Sequence, residues 1–119
     1  HAALAFSANY LMTLVTTSLE LLADAGVHDP RRLVGPLLGA SLDNALRSGD
    51  AALTGPVARG DAQTVALHLE RISAASPLAA DAYRALARLT TDRAVAAGLI
   101  DVGAAAGLLH VLGGEGERT

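Results

Sequence analysis

The chain has 119 residues and a formal net charge of −3. Hydrophobic residues make up 51% of it, and few of them are aromatic. This length allows one core of ordinary domain size. The sequence contains no cysteine, which excludes disulfides and thiolate metal sites, and no lysine, which excludes a lysine Schiff base or a lysine general base within this chain. The scattered arginines of an acidic chain argue against nucleic-acid binding, which needs a clustered basic face.

The first predicted element is a long helix from His1 to Ala25, with apolar residues on more than one side. The stretch from Ala2 to Leu19 has no charge but seven polar side chains, and no basic segment precedes it. This favours a helix buried in protein or between subunits over a membrane span or a signal peptide. Because the helix starts at the first residue without a cap, we expect a fragment whose missing part is N-terminal.

Four more helices are predicted from capping residues and helix stops. They begin after Asp29, Asp61, Ser76 and Asp101 and end near Arg47, Ala75, Ala97 and Leu112, and Gly26 and Gly98 are stop signals. Pro36 is expected to kink or break the second helix near Val34-Gly35. With no strand pattern, the sequence predicts an all-α fold. We expect a compact bundle of about five helices, with a long buried first helix, a single domain over residues 1–112 and a disordered tail over 113–119.

The stretch Leu53–Asp61 is the one long run that is neither apolar-periodic nor alanine-rich. Arg59 could bind a substrate carboxylate or a cofactor phosphate in bidentate fashion, and Thr54 and Gly55 could add hydrogen-bond donors. Alternatively, the loop is a structural corner in which Asp61 caps the next helix and Arg59 pairs with it. Asn44 lies on the preceding helix and either faces the same ligand as this loop or is a surface amide.

Two segments carry a resemblance to a known family: the run NALRSGDAALTGPVARGDAQTVALHL from Asn44 to Leu69, and the opening segment with its SANYL element. They resemble the C-terminal helical domain of bacterial two-domain proteins with an N-terminal Rossmann domain. Those proteins are similar to NADP-dependent, deazaflavin-linked reductases and to ketopantoate reductase-type dehydrogenases. Their helical domain resembles the C-terminal domain of the 6-phosphogluconate dehydrogenase superfamily. The similarity covers about residues 1–100, and TGPVARGD is its most specific part.

The resemblance implies an NAD(P)-dependent oxidoreductase that acts on a small oxo or hydroxy acid. NADP or NAD would be bound mainly by the N-terminal Rossmann domain, because this chain has no G-x-G-x-x-G motif after a strand. The helical domain would close the substrate cleft and form a homodimer. We expect no nucleic-acid partner, no membrane and a cytoplasmic location.

The resemblance also indicates candidate catalytic residues in the first helix. Ketopantoate reductase-like enzymes place a lysine four residues before an asparagine, and if Asn9 matches that asparagine, Ala5 stands at the lysine position. His1 could then be the acid, because imidazole titrates near neutrality, and Ser7 is a candidate substrate-binding donor. Alternatively, Asn9 satisfies a backbone group and His1 has no role.

Two other functions are weighed against this one. The chain could be only a dimerisation or interaction module, as the long uncharged first helix suggests, or a helical regulator with a ligand between its own helices. The remaining histidines are dispersed without metal-ligand spacing, and His68 is interpreted as a partly buried packing residue.

Overall fold

The structure, a computed structural model, describes residues 1–113, in which all regular structure is helical and no strand occurs. The elements are α1 (Ala2–Leu4), a π-helical segment (Ala5–Asn9), α2 (Tyr10–Asp24), α3 (Pro30–Ser48), a 3₁₀ turn (Gly49–Ala52), α4 (Ala62–Ala75), α5 (Pro77–Ala96) and α6 (Val102–Leu112). Because the first three are continuous, the chain forms five long helical runs, which confirms the predicted all-α fold. The predicted disordered tail lies outside the described residues, except for Gly113.

The helix boundaries follow local sequence signals. The side chains of Asp61, Ser76 and Asp101 each accept a hydrogen bond from the backbone N–H three residues later, at 2.8–3.1 Å, so all three are the predicted N-caps. Gly26 and Gly98 end α2 and α5 with paired bonds to the carbonyls of the last helical turn, which is the Schellman arrangement. These signals act within a few residues and therefore fix the ends of the helices.

Pro36 does not break the second long helix. The segment Pro30–Ser48 is one α-helix with Pro36 inside it, so the break considered near Val34-Gly35 does not occur. The proline removes one N–H, the donor that would bond to the carbonyl of Arg32, and the bonds of the adjacent turns hold the helix together.

The chain divides into two units, His1–Ser41 and Leu42–Thr119, with the boundary inside α3. In the second unit α4, α5 and α6 pack against one another. Arg93 forms an ion pair with Asp50 at 3.2 Å, which ties the 3₁₀ turn to α5. The core of this unit consists of small and medium aliphatic side chains: Val57, Val65, Leu69, Ala80, Ala87, Leu108 and Leu112.

In the first unit, the helical run Ala2–Asp24 has no buried residue. The prediction of a long buried first helix is therefore wrong for this chain by itself, since the unit offers only the first part of α3 to cover the run. Leu4, Phe6 and Met12 are 68%, 62% and 70% exposed. By length and composition the run could cross a membrane, but core helices of soluble proteins and signal sequences share this property.

Gly60 holds the end of the Leu53–Asp61 loop close to α6. Its φ is +69°, and a Cβ added there would lie 3.1 Å from the Cβ of Ala104. Gly60→Ala should destabilise the protein by about 2 kcal/mol in urea unfolding, because left-handed strain adds to a tight contact. Gly55→Ala is the matched control: its φ is also positive, but no described atom lies within 4 Å of the added Cβ. Equal losses in the two variants would contradict a role for the contact with α6.

Candidate functional site

The loop between the 3₁₀ turn and α4 is held in place by the buried residues at its centre. Val57 and Ala58 are buried, and Val57 belongs to the core of the second unit. The N–H of Asp61 donates to the carbonyl of Pro56 at 2.8 Å, and the N–H of Gly60 donates to the carbonyl of Val57 at 3.0 Å. The loop is therefore a structural corner whose backbone is held by both packing and hydrogen bonds.

The same anchoring presents polar groups to solvent. Thr54 and Arg59 are exposed on either side of the buried pair, and Gly55 is half-buried. Arg59 forms no ion pair within residues 1–113, and the expected alternative of an ion pair with Asp61 is absent there. A guanidinium on a rigid loop, without a carboxylate bound to it, can accept an anionic ligand at low conformational cost.

Asp61 has a structural role at this loop. Its carboxylate accepts hydrogen bonds from the hydroxyl of Thr64 at 2.6 Å and from the backbone N–H of Thr64 at 3.1 Å. These two bonds hold the pKa of Asp61 below its usual value, against the opposing effect of burial, and the charges of Arg59 and His68 lower it to a lesser degree. Asp61 is thus an ionised N-cap at neutral pH.

The candidate residues of the first unit lie at the start of the first helical run. Ser7 and Asn9 are exposed and belong to the π-helical segment Ala5–Asn9. The hydroxyl of Ser7 lies 3.2 Å from two carbonyl oxygens of the preceding turn and so donates within its own helix. The side chain of Asn9 makes no hydrogen bond within residues 1–113, and His1 is exposed without capping α1. Isolated π-helical turns are frequent at functional sites, and no sequence pattern predicted this one.

The seven candidate residues divide between the two units. The loop brings three of them together, Thr54, Gly55 and Arg59, while Asn44 is exposed on the second half of α3 and makes no side-chain hydrogen bond to a described residue. The first unit holds His1, Ser7 and Asn9, and the second holds Asn44, Thr54, Gly55 and Arg59.

A histidine–tyrosine pair joins α4 to α5. The Nδ1 atom of His68 lies 3.0 Å from the hydroxyl oxygen of Tyr83, and the two rings meet edge to face with centroids 5.9 Å apart. Both residues are half-buried, as predicted for His68. Burial raises the pKa of Tyr83 above 10.0, so the phenol stays neutral at physiological pH. The pair was not predicted, because helical spacing does not show which residue of another helix lies opposite.

The first unit also contains a groove between α2 and the start of α3. Its volume is about 440 Å³, and it contains none of the seven candidate residues. The groove is lined by Thr16, Leu19, Glu20, Ala23, Asp29, Pro30 and Arg31. Across residues 1–113, no three histidine or carboxylate side chains lie close enough together to hold a metal ion.

Comparison with known proteins identifies a family that this chain matches. Residues 1–90 match the family model described as domain of unknown function (DUF2520), a stretch that contains all seven candidate residues as well as His68 and Tyr83. No curated protein and no solved structure matches the chain. Since the match covers three of the five helical runs in full and most of α5, the chain belongs to the DUF2520 family.

Proposed function

We propose that this chain is the helical domain of an NAD(P)-dependent oxidoreductase and forms one wall of its substrate cleft. The substrate would be a small oxo or hydroxy acid, as in ketopantoate reductase-type enzymes. The observation that carries the proposal is the exposed guanidinium of Arg59, which has no ion-pair partner in the described chain and lies on a loop anchored in the core. Such a group is suited to bind the carboxylate of the substrate.

The dinucleotide would be bound by an N-terminal Rossmann domain and not by this chain. Residues 1–113 contain no strand, and the sequence has no G-x-G-x-x-G motif, so its residues do not fit a dinucleotide site. Bound nicotinamide would supply the hydride-transfer chemistry. The part of this chain is to bind and orient the acid, with Arg59 on its carboxylate and Thr54 and Gly55 as further donors.

The residues of the first unit have a separate place in the proposal. The side-chain amide of Asn9 makes no hydrogen bond to any described residue and lies in a π-helical turn, which supports a role in substrate orientation. His1 is proposed as an acid, since the chain has no lysine, with Ser7 as a further polar group of the first unit. Asn44 is proposed as a further polar group of the second unit. A cytoplasmic location and a homodimer belong to the same proposal.

Binding of the cofactor tests the proposed function. The intact protein, with whatever precedes His1 in its natural chain, is titrated with NADPH and NADH in a calorimeter. Saturable binding of one of them supports an oxidoreductase. If neither binds, the enzyme interpretation fails and the interaction module is the better hypothesis.

The exposed apolar run at the start of the chain favours that second hypothesis and predicts self-association. Leu4, Phe6 and Met12 lie within nine residues and are mostly exposed. Because covering such side chains removes apolar surface from water, we expect a dimer in analytical ultracentrifugation. Phe6→Glu should shift the protein to monomer, whereas Leu78→Glu, at a residue 80% exposed on α5, should not. A monomeric wild-type protein would contradict the proposed dimer under either hypothesis.

A further inference from the structure

The first unit, His1–Ser41, has almost no core of its own. Within it Val34 is the one buried residue, and Leu19 and Leu22 are only half-buried. Folded units of about 40 residues usually need a disulfide, a metal ion or another chain for stability. The sequence has no cysteine, and no group of three metal-binding side chains occurs within residues 1–113. Association with another protein surface is therefore the remaining way to stabilise this unit.

The first unit exposes enough apolar surface for one stable interface. Six large side chains of its first helical run are 45–70% exposed: Leu4, Phe6, Tyr10, Leu11, Met12 and Leu14. Leu33 and Leu37 of α3, one helical turn apart, are also mostly exposed. With on the order of 100 Å² of exposed surface on each side chain, the unit presents about 800 Å². Each partner of a standard protein–protein interface buries about the same area.

The charge of the first helical run favours a second copy of the chain as the partner. Residues 2–19 have no charged side chain, so two copies of the run can pack together without bringing like charges close. Two-fold pairs of identical chains are also the commonest assemblies of soluble proteins. A lipid bilayer fits less well, because Asn9, Thr13 and Thr16 are exposed polar side chains of the same run.

One neighbouring helix is not enough to cover the start of α2. Tyr10, Leu11 and Met12 are consecutive, and all three are exposed. Since successive residues of an α-helix lie about 100° apart, these side chains point in directions that span about 200°. A helix that is apolar over so wide an arc is covered when it packs against two neighbouring helices, as in a four-helix bundle. Two copies of a two-helix unit supply four helices.

We propose that the first units of two copies of this chain form one intermolecular four-helix bundle. The first helical run of one copy packs against the run and against α3 of its partner. Leu33 and Leu37 then gain the cover that their own unit lacks. This inference rests on the homodimer of the proposed function and names its interface. The first unit would accordingly fold together with its partner.

Cross-linking through introduced cysteines tests the bundle in the intact protein. The chain has no cysteine, so each introduced thiol is unique once any cysteine that precedes His1 is changed to serine. Met12→Cys and Leu37→Cys copies, co-expressed with different affinity tags, are treated with a short bismaleimide. We expect a covalent heterodimer, in which peptide mass spectrometry places the link between the two new cysteines. Leu78→Cys in place of Leu37→Cys is the matched control, at an equally exposed leucine of α5, and should give no such link.

Amide hydrogen exchange gives a second measurement that needs no cysteine. The backbone amides of Ala2–Asp24 should exchange slowly in the wild-type dimer, because the bundle keeps the run helical and covered. Phe6→Glu should lose this protection and leave the exchange of α5 unchanged. Leu78→Glu, on α5, should keep the run protected.

The possible outcomes separate this inference from the proposed function. A dimer without the link between Met12→Cys and Leu37→Cys would overturn the four-helix bundle and leave the proposed homodimer standing. A monomer in analytical ultracentrifugation would overturn both, while binding of NADPH would still decide the oxidoreductase proposal. A monomer in which the run exchanges slowly would show that another part of the intact chain covers it. A monomer that pellets with phosphatidylcholine vesicles would show that the run binds lipid instead of a second copy.

Discussion

Arg59→Ala is expected to lower kcat/KM of the intact protein for its oxo-acid substrate by about a hundredfold. A bidentate, charge-assisted pair contributes up to about 3 kcal/mol, and each 1.4 kcal/mol corresponds to about a tenfold change. Arg59 is exposed and forms no ion pair within residues 1–113, so the variant should unfold at the same denaturant concentration as the wild type. Steady-state kinetics and urea unfolding measure the two effects separately.

Two further variants make the Arg59 result specific. Arg59→Lys keeps the charge but loses the two parallel hydrogen bonds, so it should recover only part of the activity. Arg71→Ala removes another exposed arginine, on α4, also without an ion pair to a described residue, and should have little effect. Full activity in Arg59→Ala would contradict the substrate-binding role and favour the interaction module.

Leu108→Ala is expected to cost about 3 kcal/mol of unfolding free energy. Leu108 is 0% exposed on α6 and belongs to the core of the second unit, so its truncation removes buried apolar surface and leaves a cavity. Leu109→Ala is the matched control, because Leu109 is the next residue of α6 and is 41% exposed. Chemical denaturation of both variants gives the comparison.

The Leu108 result bears on how much of the chain makes up the folded unit. The family match ends at residue 90, yet Leu108 and Leu112 of α6 complete a core whose other members lie on the loop, α4 and α5. A large loss would show that α6 is part of this unit. Equal small losses in Leu108→Ala and Leu109→Ala would mean that α6 contributes little to its stability.

Features of the fold that depend on neighbouring residues could be predicted from the sequence. The N-caps Asp61, Ser76 and Asp101 act through the backbone three residues later, and Gly26 and Gly98 act on the last turn of their helices. It could also be predicted that Leu53–Asp61 is a loop and that Asp61 caps the helix after it. Its division into buried Val57 and exposed Arg59 could not, because that depends on where α4, α5 and α6 meet.

Features that depend on distant partners could not be predicted. The apolar pattern of Ala2–Asp24 shows that the helix favours burial, but it does not show what would cover the helix. Within the described chain, no residue of this run is buried. The pair of His68 and Tyr83 spans 15 residues and two helices, so helical spacing could not reveal it. The π-helical segment Ala5–Asn9 could not be predicted either, because it contains no proline or glycine that would signal a departure from the α-helix.

The measurement that tests the oxidoreductase proposal most directly is the oxidation of NADPH by the intact protein in the presence of ketopantoate. The proposal predicts oxidation that needs both compounds and saturates with each, and that is largely lost in Arg59→Ala. If the intact protein neither binds NADPH nor oxidises it with any small 2-oxo acid, this chain does not form one wall of an oxidoreductase cleft. The exposed run Ala2–Asp24 would then point to an interaction module.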